Sequence, residues 1–117
     1  MDNQEFAKTL EYRTRQYGIS IIKLSSVLPN AIETQVIKKR LTKSGTNIGL
    51  NYREANRTIS KIDFKNRIKI AENELSETEY WLEIINDFNW IEKDILSLIM
   101  KETKELLALF TTILSKL

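Results

Sequence analysis

Apolar residues return every three or four positions along most of the chain, which is the spacing of one face of an α-helix. The first such line runs Phe6, Leu10, Thr14 (with Arg13 beside it), Tyr17, Ile21, Leu24 and Leu28. A second, less apolar line runs Ile37, Leu41, Ser44, Ile48, Asn51 with Tyr52, and Ala55. The third, Phe64, Ile68, Ala71, Leu75, Thr78, Leu82 and Ile85, alternates steps of four and three without a break. That is a seam that packs against other helices. The last segment carries two lines. One is Ile91, Ile95, Leu98, Glu102, Leu106, Leu109, Ile113 and Leu117; the other is Leu96, Ile99, Thr103, Leu107, Phe110 and Leu114. A helix in a four-helix monomer buries one stripe. The second stripe therefore predicts either a partner, most simply another copy of the chain, or a broad core face within the monomer.

Helix starts follow from polar side chains that accept a hydrogen bond from a first-turn amide, with an acid three residues on. The pattern occurs at Asp2 and Glu5, Asn30 and Glu33, Ser60 and Asp63, and Asn89 and Glu92, at intervals of 28, 30 and 29 residues. Pro29 stops the first helix. Together these signals predict helices at about 3–28, 31–57, 61–86 and 90–116 in one domain spanning 1–117. Each is ~40 Å long at ~1.5 Å per residue. Short connections make neighbours antiparallel. The expected fold is all-α, an up-down-up-down four-helix bundle.

Ser44, Gly45 and Gly49 place small residues inside the second helix, where another backbone can approach. Each glycine costs roughly 1 kcal/mol against alanine in a helix interior. The chain has no cysteine and no histidine. Disulfides, zinc sites, thiol chemistry, histidine-based triads and Glu-x-x-His metal pairs are thereby excluded. The longest uncharged run near the C-terminus, Leu106 to Ser115, is ten residues, against ~20 for a membrane span. The opening MDNQEF is acidic and polar, unlike a signal peptide. A cytoplasmic location without membrane contact is the expectation.

Charge is uneven. Residues 1–70 carry a net +8 and residues 71–117 a net −6. Such asymmetry fits either a basic face for polyanions or complementary halves that pair within or between chains. Lys39, Lys43, Arg53 and Arg57 lie on one line of the second helix, with Thr46 and Leu50 between them. Lys61, Lys65 and Lys69 repeat every four residues at the start of the third. Arrays of this kind bind phosphate backbones without reading bases. The same stripes also fit a solvated face or a dock for the acidic half of a neighbour. Tyr52 is either a stacking platform or a core aromatic. Trp81, with Tyr80, Phe88 and Trp90, closes the end of a core or anchors an interface.

Carboxylates cluster on the third helix at Glu72, Glu74, Glu77, Glu79 and Glu83. Paired carboxylates can do acid/base work or hold a hard metal. Without histidine or a second cluster, a solvated face or partners for Arg13, Arg40 and Arg53 is the expected role. Gly45 to Gly49 lacks the Gly-Lys-Ser/Thr end of a phosphate loop and lies within a helix. No catalytic residue, metal or cofactor is expected, and no enzymatic activity.

The run Leu41-Thr42-Lys43-Ser44-Gly45-Thr46-Asn47-Ile48-Gly49-Leu50-Asn51-Tyr52-Arg53-Glu54-Ala55 resembles the small-residue helix of the four helix bundle protein family, the bacterial 23S rRNA intervening-sequence proteins. Glu77-Thr78-Glu79-Tyr80-Trp81-Leu82 resembles that family's second signature. Phe6 to Pro29 is similar to its opening helix, and Ser60 to Phe64 to the start of its third. Gly45 and Leu50 stand where the family more often has alanine. The resemblance implies an antiparallel bundle assembled into a ring-like homo-oligomer, typically a pentamer, with no established enzymatic activity. It implies a link to RNA through genes lying inside rRNA genes. A related branch, the accessory variability protein of diversity-generating retroelements, works with a reverse transcriptase. The family's recurrent residues fall on Arg13, Thr14, Ser44, Asn47, Asn51, Glu54, Glu77, Tyr80 and Trp81, with implied roles as ties between helices or subunits. The expected role is RNA or other nucleic-acid binding through the basic surface of helices 2 and 3. The alternative is a scaffold or accessory subunit whose charged faces dock a partner protein.

Overall fold

A computed structural model describes residues 2–117. The described residues form four helices and no strand: α1 (Asn3–Ser26), α2 (Ile32–Ala55), α3 (Lys61–Phe88) and α4 (Lys93–Ser115). They make an elongated bundle of 44 × 25 × 20 Å. The all-α, four-helix architecture is the one the periodicity predicts; the helix ends differ from expectation by up to three residues.

Two of the four expected caps form. Asp2 accepts from the Glu5 amide at 2.8 Å, and Ser60 accepts from the Asp63 amide at 3.1 Å. The other two do not. Ala31, not Asn30, sits at the start of α2, and its amide donates to Thr34 Oγ1 at 3.0 Å. Thr34 in turn donates to the Pro29 carbonyl, which ties the turn together. Asn30 instead accepts from the Gln35 side chain. Asn89 ends α3 in the left-handed conformation, φ 55° and ψ 37°, and α4 begins after Glu92 without a side-chain cap. Asparagine tolerates that backbone better than most residues, so the same side chain type serves a helix end as readily as a start.

The core is one cluster running the length of the bundle. Ile21, Leu41, Ile48, Ile68, Leu75, Leu82, Ile85, Leu106 and Phe110 are fully buried. Tyr52 belongs to this core, its ring edge-on to Phe110 at 5.5 Å. The α1–α2 contact is close because glycines sit on it: Gly18 faces Gly45 and Thr46, and Gly49 faces Thr14. Helix α4 buries Leu96, Thr103, Leu106 and Phe110. Ile99, Leu107, Leu109, Ile113 and Leu114 are half-buried against the same core. The core face is thus broad, yet Ile95 and Leu98 stay 50% and 70% exposed.

Long polar side chains close the seam between α1 and α4. Arg13 donates to Glu102 through Nε at 2.7 Å and Nη2 at 2.5 Å, and reaches Glu105 at 3.3 Å. One turn on, the Tyr17 hydroxyl meets Thr103 Oγ1 at 2.5 Å.

Candidate nucleic-acid interface

Helix α2 sorts its polar residues by side. The flank toward α3 holds a ladder of polar ties. Thr78 and Ser44 hydroxyls meet at 2.8 Å in the core. Asn47 donates to Glu74 at 2.8 Å, and Arg67 donates to Asn51 at 3.0 Å. Glu77 accepts from Trp81 Nε1 at 3.0 Å and from Arg40 at 3.2 Å, and the Arg40 guanidinium lies 5.8 Å from the Trp81 ring centre. Five of the positions that the resemblance singles out, Ser44, Asn47, Asn51, Glu77 and Trp81, therefore share one edge of the monomer, and Arg13 joins α1 to α4. Tyr80 is more than half exposed and packs edge-on to Trp81. Glu54 is half-buried.

The hydrogen bond from the indole, with that from Arg40, holds the Glu77 carboxyl below its ordinary range. Lys69 at 2.7 Å, with Thr111 of α4, does the same for Glu72. Glu79 lies 3.7 Å from Lys104 of α4. Glu72, Glu74, Glu77 and Glu79 are thus partners of cations and donors on α2, α3 and α4, and of the arginines expected to meet this cluster only Arg40 does so among the described residues. Among the described residues no three acids gather as a metal site.

The basic residues are all exposed: Lys39, Lys43 and Arg53 on α2, Arg57 in the turn just after it, and Lys61, Lys65 and Lys69 on α3. Arg57 and Lys61 bracket the α2–α3 turn, so both series meet at that end of the bundle. Around the axis they part. Lys69 pairs with Glu72, which also bonds Thr111, so the lysine line of α3 borders α4. Of the α2 line, Thr46, Leu50 and Arg53 border α1, with Arg57 just past the helix, whereas Lys43 lies near Glu77 of α3. Apart from Lys69, none of the seven makes an ion pair among the described residues.

Where the α2 line meets α1 lies a groove of about 530 Å³. One wall is Thr46, Leu50, Arg53 and Arg57; the other is Lys8, Tyr12, Arg15, Ile19 and Ile22. Both walls step by four and three along antiparallel helices, so they run alongside each other. Gly18 and Gly49 lie between them. Arg15 lies 5.7 Å from the Tyr12 ring centre. Lys8, Tyr12 and Arg15 escaped the sequence reading, which followed α1 only on its buried face. Their own 4,3 spacing, continued by Ile19 and Ile22, was the available signal.

The profile of the family described as 23S rRNA-intervening sequence protein matches residues 10–112. A solved structure of a protein of unknown function from the S23 ribosomal protein family of Bacteroides thetaiotaomicron VPI-5482 superposes with a TM-score of 0.82. It is 33% identical and covers 89% of this chain and 96% of its own. No curated protein matches the chain. No helix among the described residues is long and apolar enough to cross a membrane.

Proposed function

Because the chain belongs to the 23S rRNA-intervening sequence protein family, we propose that it is a non-enzymatic helical-bundle protein of the bacterial cytoplasm that binds RNA by its phosphates. The observation that carries this reading is a set of exposed cations that make no ion pair among the described residues: Lys39, Lys43 and Arg53 on α2, Arg57 just past it, and Lys61 and Lys65 on α3. The acids of the second half of the chain are largely spent on other cations or on uncharged donors. The field at the α2–α3 end is therefore left positive, and such a field attracts a phosphate backbone without regard to sequence. Charge reversal tests this. Arg57→Glu, Lys61→Glu and Lys65→Glu together should abolish RNA binding while the helical content stays that of the parent. Unchanged RNA affinity in the triple variant would sink the reading.

A second reading concerns assembly. Ile95 and Leu98 form an apolar flank on α4 that this chain leaves open. Burial of that flank against another copy would make the protein a homo-oligomer, the arrangement in which charged faces dock a neighbour or a partner protein. A ring, and the number of subunits in it, belong to this second proposal.

A further inference from the structure

The groove between α1 and α2 has two features that a phosphate-binding surface alone does not need. Its walls are apolar over much of their length, with Tyr12, Ile19, Ile22 and Leu50 each between 39% and 59% exposed. An aromatic ring also stands among its cations. Lys8 and Arg15 flank Tyr12 on α1, and Arg53 at the end of α2 and Arg57 in the turn after it face them, a register fixed by Asn56 donating to Glu11 at 2.9 Å. None of these four cations is ion-paired among the described residues. Glu11 is the one acid in the lining.

We propose that this groove holds an unpaired stretch of RNA, with phosphates on Lys8, Arg15, Arg53 and Arg57 and a base against Tyr12. The proposal rests on the reading above that the polyanion is nucleic acid, and it assigns the place and the strandedness. A duplex keeps its base faces stacked inside and offers phosphates, 2′-hydroxyls and base edges, so it would leave Tyr12 and Leu50 without a flat apolar partner. An unpaired strand offers phosphates and flat apolar faces together, and a charged groove with an aromatic platform binds that combination. The placement of charge favours a nucleotide over an acidic helix. The α1 cations span ~10 Å, and Arg53 and Arg57 lie at the last turn of α2 and just past it, so the charge gathers at one end of the groove, whereas a helix laid along it would meet cations over only part of its length.

The test is fluorescence anisotropy with a labelled unpaired RNA of about a dozen nucleotides and the same sequence in duplex form, on the parent chain, Tyr12→Ala and Arg53→Glu/Arg57→Glu. Tyr12 is exposed, so its truncation spares the core. The expected result is tighter binding of the unpaired strand. Tyr12→Ala should weaken that binding about tenfold and leave duplex binding unchanged. The double charge reversal should weaken both. Equal binding of the two forms, insensitive to Tyr12, would overturn the groove assignment and leave the phosphate reading standing. Absence of binding to either form at low salt would overturn both. If Arg53→Glu/Arg57→Glu instead dissociates an oligomer in light scattering, the groove is a contact between copies and the assignment also fails.

Discussion

A Cβ placed on Gly45 would stand 2.6 Å from Ile21 Cγ2 and 2.9 Å from Ile21 Cβ. Ile21 is fully buried, so its side chain has little room to yield. This contact sets how closely α2 lies against α1, and with it the depth of the groove on their outer side. The three glycines of the chain should respond differently to alanine. Gly45→Ala overpacks the core and is expected to destabilise by ~1–2 kcal/mol, the overpacking cost less the helix-propensity gain. At Gly49 the new methyl would lie 3.2–3.3 Å from Thr14, including its backbone, and the two effects nearly cancel. At Gly18 the nearest atoms are at 3.6 Å, and alanine should stabilise by ~0.5–1 kcal/mol. Chemical denaturation of the three variants checks the order.

The Arg13–Glu102 pair is a bidentate tie between the first and last helices, because two of the three guanidinium bonds go to one carboxylate. Both side chains are about one-third exposed, which lowers the worth of the pair. Arg13→Ala is expected to cost ~1 kcal/mol. A double-mutant cycle with Glu102→Ala should return a favourable coupling that shrinks in high salt. Zero coupling would mean this ion pair does not hold the α1–α4 seam, leaving it to apolar contact and the Tyr17–Thr103 hydrogen bond.

Acid should loosen the bundle at two identified places. Hydrogen bonds from Trp81 and Arg40 lower the Glu77 pKa, and those from Lys69 and Thr111 lower that of Glu72, both from an ordinary value of 4.5. A carboxyl depressed in the folded state contributes stability above its unfolded pKa and loses it as pH falls through the folded one. Stability should therefore be flat near neutrality and decline once pH drops below about 4.5. Glu77→Gln with Glu72→Gln should flatten the decline. An undiminished acid slope in the double variant would assign it to other carboxylates.

How much of this was legible in the sequence depends on what each signal measures. The helices and their buried lines follow directly from spacing, because burial imposes a 3.6-residue period on long segments. Even polar Ser44 and Asn51 read as inward, since they lie in register with Ile37, Leu41 and Ile48. The cap at Asn89 misled because asparagine suits a helix start and a left-handed end alike, and the one at Asn30 because Thr34 takes the Ala31 amide while Asn30 accepts from Gln35. Lys61, Lys65 and Lys69 share one line of α3 by their spacing of four. Spacing fixes an angle around one axis and does not say which neighbour that line borders, and Thr111 on Glu72 settles it toward α4. The groove needed two helices in register, so neither wall alone announced it.

The open flank of α4 predicts association. Leu98→Lys, at a side chain 70% exposed, should barely alter the monomer's stability. It should shift the mass measured by light scattering toward the single chain. A parent protein that is already monomeric at high concentration would remove the second reading.

The most direct test of phosphate binding is the salt dependence of RNA affinity, followed by anisotropy of a labelled unpaired RNA from about 50 to about 200 mM salt. If the four groove cations each neutralise one phosphate, log affinity should fall with log salt at a slope of about −3, a loss of roughly fiftyfold over that range. Affinity that does not change with salt, or no binding at the lowest salt, would contradict the claim that these cations meet a phosphate backbone.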